Sequence, residues 1–408
     1  MPFTKLSLNQ KLVAALPVSF SAPTEIQTLV IPAILNQSDV LAIAQTGSGK
    51  TLAYGLPVLE QIIAKPSHFK ALILVPTREL ATQVNDALKL VAKNTNIRSL
   101  CLCGGVDKQQ QKDELATGCE VIVATPGRLL EFLGENAFDA SNISTLVLDE
   151  ADRMLEMGFW TDVQRIIQML PEQRQTLMFS ATFPEPLEQK AKTLLTSPLM
   201  IQAKQAADTA EAIEETLYLV NKGSKTKALI DQITRNDWRQ VLVFIGAKDN
   251  ADALCKKLSK AGLSTAALHG NKDQAEREAT LDRFKQQQVN VLIATDLLAR
   301  GIHVDSLPVV INFELPSNAE TYVHRVGRTA RAGEKGVAVS LVCHGETDYL
   351  TAIRKTTQRE LPLKELDGFP VTDKPSTGES KRAPRDKQAN RRTNKKKSIK
   401  QFQGKTKR

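Results

Sequence analysis

Cysteine is scarce in this 408-residue chain, and what there is does not pair up. The five residues, Cys101, Cys103, Cys119, Cys255 and Cys343, are odd in number and scattered, without a C-x-x-C spacing. Neither a disulfide framework nor a zinc site is supported, and a reducing cytoplasm fits best. Cys101-Leu-Cys103 reads as the alternation of a strand. Long apolar runs are also missing. The longest, such as Ala71-Leu-Ile-Leu-Val75, are of strand length, far short of the roughly 20 residues that span a bilayer. The opening segment, Met1 to Gln10, has no apolar core of the kind a secretion signal carries. Membrane, secreted and fibrous classes are therefore not expected.

Acidic charge is nearly absent from one end. Residues 381–408 hold 13 Lys/Arg and a single acid, Asp386, whereas residues 1–380 hold 41 Lys/Arg against 44 Asp/Glu. A slightly acidic body thus carries a strongly basic tail. Such tails bind polyanions through counterion release; the plain alternative is a solvated tail that aids solubility. With Phe402 the sole aromatic in that segment, base stacking is not its expected mode.

Short apolar runs recur at 40–44, 71–75, 121–124, 145–148 and 177–179, separated by amphipathic stretches of helical length such as 78–93. Near-continuous apolar strands alternating with helices are the pattern of a parallel sheet covered on both faces. The rhythm starts again at 240–245, 290–294, 309–312 and 336–342. Two α/β domains in tandem follow, residues 1–203 and 216–366, joined by a polar linker at 204–215. Residues 367–408 hold too little apolar surface to offset ordering entropy and read as a disordered tail.

Ala44-Gln-Thr46-Gly47-Ser48-Gly49-Lys50-Thr51 directly follows the first strand and precedes an apolar stretch. This is a nucleotide-binding P-loop, with Ala44 where the general pattern has glycine. Gly47 and Gly49 let the backbone amides of 46–49 curl around phosphate oxygens, and the helix start adds partial positive charge. Lys50 would reach the terminal phosphates, and Thr51 would place its hydroxyl on Mg²⁺. Asp149-Glu150-Ala-Asp152 follows another strand, at the carboxyl end where functional groups of open parallel sheets gather. Asp149 would hold Mg²⁺, and Glu150 would orient and deprotonate the attacking water.

Spelled out in this order, these motifs resemble the DEAD-box family of ATP-dependent RNA helicases over about residues 3–343. The resemblance implies two RecA-like domains with ATP and RNA bound across their cleft. Ser19-Phe-Ser-Ala-Pro-Thr-Glu-Ile-Gln27 resembles the family's Q motif, with Ser19 in place of the usual glycine. It implies that Gln27 reads adenine and that Phe3 stacks on the base; on its own, Phe3 reads as a small core aromatic. Pro76-Thr77-Arg78-Glu-Leu-Ala81, Gly104-Gly105 and Thr125-Pro-Gly-Arg128 resemble the family's RNA-backbone contacts in the first domain. Hydroxyls, arginines and bare amides suit phosphate and sugar without reading bases. Ser180-Ala-Thr182 resembles the motif that couples nucleotide state to strand separation, although an ordinary strand-to-loop cap has the same look.

In the second domain, residues 243–248 loosely match the fourth motif, and Gln274 and Arg277 match a Gln-x-x-Arg element, making Arg277 an RNA-phosphate candidate. Residues 294–302 resemble the fifth motif, with Thr295 toward RNA and Arg300 and Gly301 toward nucleotide. His303 stands where the family commonly has an Asp that accepts from the ATP ribose, so that contact is open. His324-Arg-Val-Gly-Arg328-Thr-Ala-Arg331 resembles the sixth motif. Arg328 and Arg331 match its arginine fingers, and His324 would link to the acids of the first domain. If the segment is helical, Arg325, Arg328 and Arg331 share roughly one face. The short basic tail and compact core also resemble the bacterial RhlE-like branch.

The expected activity is that of a monomeric RNA-stimulated ATPase that locally unwinds or remodels RNA duplexes and RNA–protein complexes by closing two domains on ATP and RNA. Two alternatives remain at this level. One is an ATP-dependent RNA clamp or annealing scaffold with little unwinding; the other is a DNA-directed motor on the same plan.

Overall fold

A computed structural model of the chain describes residues 2–18, 20–44, 47–66, 70–203, 213–296, 307–329 and 335–374. Ser19, Thr46, Arg300, Gly301, His303 and Arg331, most of the expected linker and the segment 381–408 lie outside the described residues.

The first lobe holds strands β1 (Val40–Ile43), β2 (Lys70–Leu74), β3 (Ser99–Leu102), β4 (Val121–Ala124), β5 (Ile143–Leu148), β6 (Gln175–Ser180) and β7 (Leu199–Gln202). They form one seven-stranded sheet in the order β3-β4-β2-β5-β6-β1-β7. The second lobe holds β8 (Ile213–Leu219), β9 (Val241–Ile245), β10 (Thr265–Leu268), β11 (Val291–Thr295), β12 (Val309–Asn312), β13 (Gly336–Val342) and β14 (Leu363–Glu365). Their order is β10-β11-β9-β12-β13-β8-β14. Every pairing in both sheets is parallel. Two tandem RecA-like α/β lobes are therefore the fold.

Apolar residues run without interruption along the central strands because both faces are covered. In β2, Ala71 and Ile73 enter one core while Leu72 and Leu74 enter the other across the sheet. Each such leucine or isoleucine contributes about 1.5–3 kcal/mol by leaving water. Helix Arg78–Ala92 packs Leu80, Ala81, Val84, Leu88 and Val91 on the first of these cores, the spacing of a helix buried along one stripe.

Besides β3, read from the alternation at Cys101–Cys103, four strands escaped the pattern of apolar runs, and each has a physical reason. β7 and β14 are sheet edges, and β7 leaves Leu199 and Met200 exposed. β8 carries the polar run Glu214-Glu-Thr216 ahead of its apolar end, and β10 is a short Thr-Ala-Ala-Leu segment. Two boundaries need correction. β8 begins at Ile213 and pairs Glu214 and Glu215 with Val337 and Ala338, so the linker stops short of 215. The second lobe also runs past 366. Phe369 packs on its core, and the Asn221 side-chain oxygen accepts from the amides of Thr372 and Asp373 at 3.0 and 2.9 Å.

Candidate active site

Strand order sorts the motifs into two groups. β5, β6 and β1 are neighbours, so the loops that follow them carry Asp149–Asp152, Ser180–Thr182 and the P-loop side by side. β3, β4 and β2 form the other half of the sheet, and their loops gather Gly104–Gly105, Thr125–Arg128 and Pro76–Arg78. The described residues thus present two adjoining sites on one carboxyl edge, as open parallel sheets do.

In the first group, Gly47 and Gly49 take φ of 83° and 91°, which side-chain-bearing residues rarely adopt. A Cβ on Gly49 would meet Gln27 Nε2 at 2.5 Å. Lys50 opens helix Lys50–Ala64 and donates from Nζ to the Ala44 carbonyl at 2.7 Å. Thr51 stands beside it in the first turn, and Ser48 lies between the two glycines. Gln27 is 1% exposed. Its amide oxygen accepts from Thr24 N at 2.9 Å, and its Nε2 donates to Gly49 O at 3.1 Å. In this structure Gln27 braces the P-loop, and its acceptor is not turned to a base edge.

Glu150 sits in the left-handed region at φ 51°, a strain that persists only where surrounding contacts hold it. Its amide donates to Asp149 Oδ1 at 2.9 Å, and its carboxylate pairs with Arg153 at 3.0 Å. Burial alone would raise the Glu150 carboxyl, but Arg153, Arg328, Lys50 and His324 outweigh it and hold the group below its ordinary value. It is therefore ionised at neutral pH, as a base must be. Burial pushes the Asp149 carboxyl the other way, up to about 6, against the pull of Lys50. A buried carboxylate of this kind suits Mg²⁺, which takes one or two protein oxygens and keeps several waters. Among the described residues no cluster of three or more His, Cys, Asp or Glu side chains offers an all-protein metal cage.

Asp152 ties the third loop to this centre. Its amide donates to Ser180 Oγ at 3.2 Å, and Thr182 donates to its carboxylate from N and Oγ1 at 2.9 and 2.8 Å. Burial would raise the Asp152 carboxyl. Hydrogen bonds and charge from His324, Thr182 and Lys50 overcome that and hold it far below the usual carboxylate range. His324 belongs to the second lobe, and its Nε2 lies 3.5 Å from Asp152 Oδ2. Arg328, 2% exposed, is close enough to Glu150 to lower its carboxyl. Two further contacts cross the cleft: Arg277 pairs with Glu79, and Asn318 Nδ2 donates to Glu156 at 3.2 Å.

In the second group, Thr77 caps helix Arg78–Ala92, accepting from Leu80 N at 3.3 Å. The Arg78 guanidinium lies against the Gly104–Gly105 loop, where a Cβ on Gly105 would overlap its Nη1. Gly105 also has φ 80°, so both glycines make room for Arg78. Thr125 precedes helix Pro126–Gly134 without giving its side chain to the cap. Arg128 is largely engaged within the protein, donating to Gln111 at 3.1 Å and pairing with Glu131 at 3.2 Å. Thr295 closes β11 and is 8% exposed.

Residues 24–190 match the family described as DEAD/DEAH box helicase, and residues 224–333 match the helicase conserved C-terminal domain. The chain is 39% identical to the ATP-dependent RNA helicase SrmB of Haemophilus influenzae over 387 residues, covering 93% of this chain and 88% of that one. The chain belongs to the DEAD-box family of ATP-dependent RNA helicases. S. cerevisiae Dbp5 bound to RNA and ADP BeF3 superposes with a TM-score of 0.81 at 30% identity, over 90% of this chain and 95% of that chain. A DEAD box protein from Methanococcus jannaschii is 36% identical yet gives only 0.54, over 90% of this chain and 99% of that chain. Overall superposition therefore does not follow sequence identity.

Against the motif-based expectations, the DEAD-box helicase differs at three points. Phe3 is 4% exposed and packs with Leu6, Leu8 and Leu12. The ring left open beside it is Phe20, 43% exposed, in a cavity of about 250 Å³ that both line. Arg325 and Arg328 do not share a helical face, because helix Ala319–Val326 ends before Arg328; Arg331 lies outside the described residues. Arg325 turns inward, fully buried, to Asp296 at 2.6 and 2.8 Å and to the Glu314 carbonyl. Arg277, read as a phosphate contact, has Glu79 as its partner here. Glu79, Arg153 and Asp296 were not singled out in the sequence, nor was the inward pairing of Arg325. All four lie inside the motifs or next to them, and only their long-range pairing reveals a role.

Proposed function

We propose that this helicase hydrolyses ATP in a site completed only when its two lobes close on RNA, and that closure pries apart a short duplex locally. The reading rests on one observation: acids of the first lobe meet His324 and Arg328 of the second in the same cleft. Hydrolysis would be slow with the lobes apart, and RNA touching both would favour closure by population shift. Coupling of that kind is reciprocal for binding, so ATP tightens RNA and RNA tightens ATP.

In this reading Lys50 and the amides of 46–49 hold the phosphates, Glu150 takes the proton of the attacking water, and Arg328 and Arg331 stabilise the transition-state charge. Thr51 and Asp149 would hold Mg²⁺, which neutralises charge on the phosphates when bound. Gly301 and His303 would face the nucleotide, and Phe20 is the better placed ring for the base. Pro76, Thr77, Arg78, Gly104, Gly105, Thr125, Arg128 and Thr295 would follow the RNA backbone, with Arg277 held by Glu79 across the cleft. The basic segment 381–408 would add sequence-independent affinity for structured RNA. Steady-state ATP turnover tests the core of this, with RNA, with DNA of the same sequence, and with neither. Turnover that RNA fails to stimulate at low salt would overturn it; equal stimulation by DNA would favour a DNA-directed motor.

A further inference from the structure

Helix Lys50–Ala64 carries a second group into the cation site besides its P-loop end. Tyr54, one turn after Lys50, is fully buried, and its hydroxyl donates to Asp149 Oδ2 at 2.9 Å. Its ring meets Phe179 edge-on, with centroids 5.1 Å apart and planes at 60°. The same hydroxyl is within hydrogen-bonding reach of Thr51. The other carboxylate oxygen, Oδ1, accepts from Glu150 N at 2.9 Å. Each Asp149 oxygen therefore spends one lone pair on a protein donor that fixes the carboxylate plane, and one remains on each.

We propose that Tyr54 is a positioning residue for the divalent cation: its phenol orients Asp149, and through Thr51 the threonine hydroxyl, so that both face the hydration shell of the metal on the nucleotide. A phenylalanine would pack against Phe179 equally well, so packing does not call for the hydroxyl. A buried phenol needs an acceptor, but this one takes a carboxylate that is already crowded by burial. Groups that orient a metal's ligand are commonly worth 10–100-fold in metal affinity or activity.

This inference rests on the assignment of Asp149 to Mg²⁺, and the test keeps the two apart. Full-length wild type, Tyr54→Phe and Asp149→Asn are titrated with Mg²⁺ while binding of a fluorescent ADP is followed at equilibrium, and each is also measured in EDTA. Tyr54→Phe is expected to raise the Mg²⁺ concentration for half-maximal tightening by on the order of tenfold. Its affinity for nucleotide in EDTA should match wild type, and saturating Mg²⁺ should restore most turnover. An unshifted Mg²⁺ midpoint in Tyr54→Phe, with Asp149→Asn shifted, overturns the role of Tyr54. An equal loss of affinity in EDTA overturns it too, since the phenol would then serve only the shape of the pocket. If Asp149→Asn leaves the midpoint in place, the cation assignment itself is wrong and the proposal falls with it.

Discussion

Replacing Glu79 with glutamine removes a charge whose partner, Arg277, lies across the cleft. Both side chains are 12% exposed where they meet across the cleft, and with the lobes apart each would return to water. The whole loss therefore falls on closure and leaves the lobes intact. Truncating one member of a buried, hydrogen-bonded charge pair costs about 2–5 kcal/mol. Glutamine keeps a hydrogen-bond acceptor, which argues for the low end. At about 2 kcal/mol the closure constant falls roughly thirtyfold, since 1.4 kcal/mol is a factor of ten. Fluorescence distances between the lobes, read at saturating ATP analogue while RNA is titrated, report that constant. RNA-stimulated turnover should fall with it, and RNA-free turnover much less. A double-mutant cycle with Arg277→Gln decides the cause: if the ion pair acts as a unit, the double variant loses hardly more than either single one. Losses that simply add, with coupling below about 0.5 kcal/mol, would refute the pairing.

The remaining predictions are more direct. Glu150→Gln keeps ATP and RNA affinity within a few-fold but lowers turnover by about 10²–10⁴, checked by binding titration beside steady-state hydrolysis. Gly105→Ala puts a methyl group where Arg78 lies and forces a left-handed backbone; RNA affinity should drop while RNA-free ATPase activity holds. Removing 381–408 should flatten the salt dependence of RNA binding, read as the slope of log affinity against log salt, and leave RNA-free hydrolysis unchanged. Closure should also depend on pH through Asp152. Its carboxyl is held far below the ordinary value with His324 alongside, so this support is present above the ordinary carboxylate range and lost as pH falls through the depressed value. Asp152→Asn should weaken closure at pH 7, and the gap to wild type should narrow in acid.

Much of the catalytic vocabulary was legible in the chain because it is local. A P-loop, an acid pair after a strand and an alternation of apolar runs with amphipathic stretches each lie within a few residues of sequence, and periodicity reads them. The same locality explains the errors. Arg325 and Arg328 looked like one helical stripe because spacing shows a face only while the helix continues, and here it ends at Val326. Phe3 sits in the core, as its reading from the residues alone expects, and only the motif resemblance directed it to the base. The second lobe extends past 366 because Phe369 packs on its core and the Asn221 side chain, about 150 residues earlier in the chain, accepts from Thr372 and Asp373.

By itself, then, the sequence determined the groups available: a glycine-rich loop, carboxylates, arginines and hydroxyls, at the ends of parallel strands. Tertiary structure decided which of these work together. The strand order places β5, β6 and β1 side by side, and β3, β4 and β2 beside them. That order sorts interleaved motifs into two adjoining sites on one edge. The pairs that cross the cleft, Asp152 with His324 and Glu79 with Arg277, join residues some 170 to 200 positions apart. No local pattern encodes such a pair, because each partner is a common surface residue until the fold removes both from water.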